Sequence, residues 1–344
     1  MQLNSLKYKS YFLGLLIVFF IAFLINISLG SETIPFKQVF AALSNGELQQ
    51  ETWRYIILSY RIPKAIAAIL AGVGLSVSGL LMQTLFRNPL AGPYVLGISS
   101  GSSLGVAILV LGTSFLGFEN SVLASSPWAI IIAASLGALA VLFAVILVAK
   151  QVQNTMSILI VGLMFGSLTS AIVSILAYFS SAEQLQQFIF WSFGSIGNLS
   201  WDELSILSFF IAISFILITF VLKDMNSLLL GENYAISLGV SIPKTRFIII
   251  LATSLLAGSI TAFVGPIAFI GLAVPHISRL LFKSSKQQII ILASLLIGAI
   301  VMLIADTIAQ LPTSAYTLPI NAVTTLFGAP IVIFLLLKSK KISI

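Results

Sequence analysis

The chain has 344 residues, 59% hydrophobic and 8% charged, with a mean hydropathy of +1.13. So little polar surface cannot cover that much apolar surface in water, which excludes a soluble domain and requires a membrane protein of many spans. The formal net charge is +7, and the absence of cysteine excludes disulfides, thiolate metal sites and iron–sulfur ligation on this chain.

At about 20 apolar residues per crossing, the length accommodates roughly ten helices joined by short loops in one domain, 1–344. The 24 Gly and 11 Pro interrupt long apolar runs, as they do where helices of a bundle pack closely or break. The first run, 11–29, follows Lys7 and Lys9. It is longer than a signal-peptide core and no A-x-A-like site follows, so it reads as a retained first span. Further runs lie near 65–84, 94–112, 127–149, 156–178, 203–222, 246–264, 267–282, 287–307 and 320–337. With the N-terminus in the cytoplasm, only Lys37, Arg54, Arg61 and Lys64 fall outside, and the other thirteen of the 17 Lys and Arg fall inside. Lys and Arg resist translocation, so this bias predicts an even number of spans and two cytoplasmic termini. The positive charge then marks topology along thin loops and calls for no nucleic-acid partner.

Three stretches between the runs carry chemistry. TWRYIILSYRIPK, 52–64, gathers Arg54, Arg61 and Lys64 at one outer surface, where they either snorkel to lipid headgroups or receive carboxylates of a docking protein. In LFRNPLAGPYVLG, 85–97, Pro89 and Pro93 forbid a continuous helix and Asn88 can bond the freed backbone groups. KDMNSLLLGENYAISLGVSIPKTR, 223–246, is the longest polar interruption on the inner side. Leu228, Leu229 and Leu230 precede Gly231, and Glu232, Ala235, Ile236 and Gly239 follow at helical spacing, which predicts two short helices hinged at Gly and a partner-binding surface.

Isolated features are weaker. Ala68, Gly72 and Ser76 repeat every four residues, and Gly101 with Gly105 and Gly162 with Gly166 form GxxxG pairs that suit helix packing. The single histidine, His276, lies in GPIAFIGLAVPHISR just before Arg279, Lys283 and Lys286. That position reads as the cytoplasmic, Pro-bounded end of the eighth span. A proton-coupled secondary transporter would need a relay of buried ionisable groups, and only Asp306 and His276 qualify. A membrane enzyme would need converging ligands or nucleophiles that one His, no Cys and few carboxylates do not supply, so no catalytic, metal or cofactor site is expected.

RIPK with the small-residue helix after it, Gln83, RNPLAGPYVLGISSG, MNSLLLGENYAISLGV, GPIAFIGLAVPHISR, Asp306 and LPINAVTTLFGAP together resemble, in order from about Arg61 to Leu337, the FecCD family of type II ABC importer permeases. The resemblance implies an all-α membrane protein with ten transmembrane helices. It implies a permease that imports ferric siderophore, with haem or vitamin B12 as alternatives, across a bacterial cytoplasmic membrane. A second permease subunit, identical or paralogous, would complete a dimer whose path is lined by 156–178, 320–337 and the short helix at 184–196. Asn88 and Leu90, and Thr155 with Met156, resemble the two parts of a cytoplasmic gate. Asn226, Leu228, Leu230, Gly231, Glu232, Ala235 and Gly239 resemble the helices that meet a cytoplasmic ABC ATPase dimer. Arg54, Arg61 and Lys64 resemble the cations that meet an extracytoplasmic substrate-binding protein, and lipid is the remaining partner. The chain has no G-x-x-x-x-G-K-[ST] phosphate cradle, so ATP hydrolysis is expected on a separate subunit. It departs from the family pattern at Leu318 and Asn321 in the last-span motif, and at Gln310, where a basic residue is common. Lys64 replaces the commoner Arg, keeping the charge but losing the bidentate fork.

Overall fold

The computed structural model describes residues 2–44, 46–112, 126–151, 155–197, 199–312, 314 and 316–339, and all regular structure among them is helical. In chain order the helices are α1 (Gln2–Ser28), α2 (Phe36–Leu43), α3 (Thr52–Ile56), α4 (Ile62–Leu85), α5 (Ile98–Val110), α6 (Pro127–Gln151), α7 (Thr155–Phe179), α8 (Ala182–Ser192), α9 (Trp201–Leu228), α10 (Glu232–Ser237), α11 (Ile242–Val264), α12 (Ile270–Phe282), α13 (Gln287–Ala309) and α14 (Ile320–Ser339). Each of the ten apolar runs falls on its own helix. Seven described helices are long and apolar enough to cross a membrane, one of them Thr52–Leu85, where a π-helical turn at Ile57–Arg61 joins α3 to α4. The apolar helices Ile98–Val110, Ile270–Phe282 and Ile320–Phe334 are shorter.

Helix ends follow from local chemistry. Pro89 has no amide donor and α4 stops at Leu85. Gly97 at φ 73° turns the chain into α5, and Gly265 at φ 79° ends α11, both in a region closed to most side chains. A capping box opens α8, with Ser181 Oγ accepting from the Gln184 amide at 3.4 Å and Gln184 Oε1 accepting from the Ser181 amide at 3.2 Å.

The chain forms two compact units, the first comprising 1–76, 195–208 and 267–344, the second 77–194 and 209–266. In the first, Gly72 of α4 lies on Gly298 of α13 so closely that a methyl on Gly298 would stand 2.5 Å from Ser76 Oγ. Ser76 Oγ donates to Ser294 O at 2.9 Å, and Ser294 Oγ to Ser278 Oγ at 3.1 Å, linking α4, α13 and α12 through buried hydroxyls. Phe282 ends α12 fully buried, with the rings of Phe12 and Tyr11 of α1 at 4.7 and 5.8 Å. His276 and Pro275 lie inside α12 rather than at its end, so the proline does not bound this helix. The boundary comes instead from Phe269 and Lys283, each in the left-handed region.

In the second unit, α5 and α6 meet through glycines. A methyl on Gly101 would stand 2.6 Å from Gly137 O, and one on Gly162 of α7 would stand 2.8 Å from Leu96 Cα. Lipid offers no hydrophobic drive between helices, so such backbone proximity supplies the dispersion contacts that hold them. Val106, Ala107, Val110, Ile131, Ala134 and Ala262 form a buried core, and Val173, Phe188 and Trp191 pack against it.

Candidate functional site

The clearest surface feature belongs to the second unit, where α9 passes into α11 through α10. Gly231 at φ 119° opens α10 and Gly239 at φ 83° closes it. Six residues make too short a helix to persist alone, so the surroundings must hold it. Ala235 is fully buried, and the Val240 amide donates to Ala235 O at 3.0 Å. Thr245 Oγ1 donates to Asp224 Oδ2 at 2.6 Å, and Arg246 Nη2 to Glu232 Oε1 at 3.2 Å, tying both ends of the connection to α11. The outward side carries Leu230, Tyr234, Ile236 and Leu238, all more than half exposed. A rigid, cross-tied apolar patch of this kind suits another protein's surface.

The seven residues expected here have different tasks. Leu228 and Ala235 are buried anchors, Gly231 and Gly239 are the bends, and Glu232 is half of an ion pair. Asn226 Nδ2 donates to Leu222 O at 2.9 Å within α9, and Leu230 alone of the seven presents an exposed apolar side chain. Tyr234 and Leu238 were missed, as were Asp224, Thr245 and Arg246. Their pairing depends on how the chain folds back after Gly239.

The turn after α4 is organised by Asn88, whose Oδ1 accepts the Leu90 amide at 2.9 Å while its own amide donates to Gln83 O at 3.1 Å. This satisfies the backbone groups that Pro89 frees. Leu90 is left as an exposed apolar tip. Arg87, at φ 47°, stands beside the α9–α10 connection, its Nη1 3.8 Å from where a Gly231 Cβ would be. Met156 is exposed on the first turn of α7; Thr155 starts that helix, and its side chain lies outside the described residues.

A groove of ≈ 600 Å³ opens between the 94–100 stretch and α7, lined by Tyr94, Ser100, Gly166, Ser167, Ser170 and Ser174 among others. Ser167 Oγ donates to Leu163 O at 3.1 Å and Ser174 Oγ to Ser170 O at 3.0 Å. Their protons are engaged within the helix, so the wall offers acceptor lone pairs and small side chains: polar enough to wet, too weak to trap a solute. The spacing of Ser167, Ser170 and Ser174 on one helical face was legible in the sequence and went unused.

The cations expected to dock a partner lie in the first unit, and each has an intramolecular acceptor. Arg61 donates to Ile27 O at 2.7 Å, to Ser28 O at 2.8 Å and to Glu32 O, capping the carbonyl end of α1. Arg54 Nη2 donates to Gly46 O at 2.7 Å. Lys64 Nζ lies 3.2 Å from Oδ1 of Asp306, whose side chain is 3% exposed. Asp306 Oδ2 accepts from Asn26 Nδ2 at 2.9 Å and from Gln310 Nε2 at 2.8 Å, and Asn26 also reaches Thr307 Oγ1 at 3.0 Å. This cluster joins α1, α4 and α13. It accounts for one departure noted above: Gln310 contributes an amide donor to Asp306, and the cation comes from Lys64. Asn321 likewise has a partner, its Oδ1 accepting the Ala268 amide at 3.1 Å, whereas Leu318 is exposed. Asn26 gave no sign in the sequence, because one polar residue in an apolar run does not name its partner 280 positions away.

Residues 16–338 match the model of the FecCD transport family. The vitamin B12 import system permease protein BtuC of Klebsiella pneumoniae subsp. pneumoniae is 34% identical over 342 residues, 98% of this chain and 97% of that protein. A protein of Methanocaldococcus jannaschii assigned as an ABC transporter permease is 35% identical over 330 residues, 95% of this chain and 94% of that protein. Among solved structures, an inward-facing conformation of a transporter assigned to the metal-chelate type of ABC transporter superposes with a TM-score of 0.80 at 28% identity, covering 96% of this chain and 99% of that one.

Proposed function

Because this chain belongs to the FecCD transport family, and is thus a multi-pass membrane permease of the ABC importer type, we propose that it carries a ferric siderophore inward, driven by a separate ATPase dimer and supplied by an extracytoplasmic binding protein. Ten helices cross the bacterial cytoplasmic membrane in this reading: the seven long ones and the three shorter apolar ones, with both termini cytoplasmic. A second permease subunit, identical or paralogous, completes the path.

The observation that carries the ATP-driven reading is the α9–α10–α11 connection, a short helix bent in by two glycines, cross-tied to α11 and apolar on its outer side. An ATPase seated on Leu230, Tyr234, Ile236 and Leu238 would move α10, and the Asp224–Thr245 and Glu232–Arg246 ties would oblige the start of α11 to follow. Arg87 puts the Asn88–Leu90 turn next to the same hinge, so the gate would feel the movement. Nucleotide then biases a two-state bundle through its preference for one state of this surface. The serine-lined groove suits a bulky, polar cargo that must leave as readily as it arrives.

A ferric siderophore is favoured because the superposed transporter is assigned to the metal-chelate type. Vitamin B12 is the second reading, favoured by the BtuC relative that matches nearly end to end. Proteoliposomes holding the permease, its ATPase and its binding protein should accumulate radio-iron siderophore when ATP is supplied to the ATPase side. Uptake of labelled cobalamin with none of iron would select the second reading. Uptake that persists without the ATPase subunit would overturn the ATP-driven mechanism itself.

A further inference from the structure

We propose that α2 is a membrane-surface anchor whose outward apolar edge, Phe36, Phe40 and Leu43, lies in the boundary between lipid headgroups and acyl chains. Its position comes first. Ser28, the last residue of α1, donates from Oγ to Ile34 O at 2.5 Å and accepts the Ile34 amide at 3.0 Å, while Arg61 bonds the carbonyls of Ile27 and Ser28. The link between the helices is folded back on itself, and α2 starts beside the final turn of a candidate span. Across the eight residues 44–51 the chain passes from α2 into the next candidate span at Thr52. Two spans joined in this way meet the same side of the membrane, so α2 is held at that surface.

Its amphipathic pattern comes second. At 100° per residue, Phe36, Phe40 and Leu43 fall within about 60° of one another, beside Val39 and then Ala42. Val39 and Ala42 are buried against the protein, whereas Phe36, Phe40 and Leu43 are 49%, 56% and 49% exposed. The apolar arc is therefore wider than the contact the protein provides. On the opposite arc Lys37 is exposed, in reach of anionic headgroups, and half-buried Gln38 accepts the Gln49 amide on Oε1 at 3.2 Å. The neighbours continue the surface. Tyr55 and Tyr60 are exposed with ring centroids 5.6 Å apart, as suits residues whose rings sit at headgroup level. Along α1, Leu13, Ile17, Phe20 and Ile21 are exposed and most of this apolar span is left uncovered by the protein, a face for lipid on the helix beside which α2 starts. An apolar edge that continues a lipid-covered face and ends at the boundary has the bilayer as its natural occupant.

The chain has no cysteine, so single nitroxide labels can be placed on the full-length protein without other changes. Phe36→Cys, Lys37→Cys, Gln38→Cys, Phe40→Cys and Leu43→Cys, each labelled and reconstituted in vesicles of equimolar phosphatidylcholine and phosphatidylglycerol, would be compared for collision with oxygen and with a water-soluble nickel chelate. The expected result is several-fold lower nickel accessibility at 36, 40 and 43 than at 37, with half-buried 38 in between and oxygen accessibility retained at 36, 40 and 43. Equal nickel accessibility at all five positions would overturn the proposal. So would labels at 36, 40 and 43 that are immobilised and shielded from both reagents, which would mark a second copy of the chain, or the binding protein if shielding needs its addition. Should a Phe variant not remain monodisperse, the Leu43→Cys and Lys37→Cys pair decides the question. No step depends on the cargo or the ATPase, so failure here leaves the transport reading standing, and the reverse.

Discussion

Asp306→Asn is the sharpest test of how the first unit is held. The carboxylate is 3% exposed, accepts from Asn26 and Gln310 and faces Lys64 at 3.2 Å. The substitution removes the charge that strengthens those hydrogen bonds and can turn an amide donor toward another donor. Hydrogen bonds to a charged group are worth about 1.5–3 kcal/mol each, and a neutral carbonyl retains roughly half of that. The Lys64 side chain is 22% exposed, so it keeps some hydration when its partner is lost, and its share is discounted to about 1 kcal/mol. Together these give a loss of about 2–4 kcal/mol for Asp306→Asn. Reversible unfolding of the purified chain in mixed micelles, followed by circular dichroism, would measure it. The assay becomes decisive as a cycle with Lys64→Met and the double variant: a coupling of about 1–2 kcal/mol that survives high salt is expected. If the two changes add within about 0.3 kcal/mol, Lys64 and Asp306 do not interact and the reasoning fails.

Other expectations follow from the same contacts. Gly298→Leu, which forces a side chain onto Ser76 and the Gly72 backbone, should cost about 3 kcal/mol or abolish a monodisperse fold, whereas Gly166→Ala, with only Ser100 Oγ at 3.5 Å, should be near neutral in the same unfolding assay. Bulky basic residues at Gly231 and Glu232 should lower both recovery of the permease–ATPase complex and uptake; unchanged values would sink the coupling role of 226–239. Glu232→Arg should reduce uptake per ATP hydrolysed, and adding Arg246→Glu should restore part of it, since the reversed pair can still tie α10 to α11. Arg61→Glu with Lys64→Glu should weaken stimulation of ATP hydrolysis by the binding protein, most at low ionic strength. Wild-type stimulation in a folded double variant would remove Arg61 and Lys64 from the docking surface and leave them as the cap and ion pair described above.

What the amino-acid sequence determined by itself was whatever depends on composition and on neighbours in the chain. Ten apolar runs became ten helices because a polypeptide without water must satisfy its backbone hydrogen bonds within each segment. The breaks at Pro89, Gly231 and Gly265 were readable because a missing donor, or the freedom to adopt a positive φ, is a property of one residue, whereas Gly97 lay inside the run 94–112 and Gly239 was counted at helical spacing, and only the fold shows both at positive φ. Even there Pro275 misled, since its fixed φ is compatible with a helix it was expected to bound. The partners of side chains were decided by tertiary structure alone. Arg61 and Lys64 read as outer cations for lipid headgroups or a docking protein, and nothing in the sequence showed that one caps α1 and the other meets Asp306, because folding brings Ile27 and Asp306 to them from 34 and 242 residues away. Exposure was decided there too: of the three outer-edge residues of α2 and the two inner ones, all five are apolar, and only packing separates those the protein covers from those it leaves exposed.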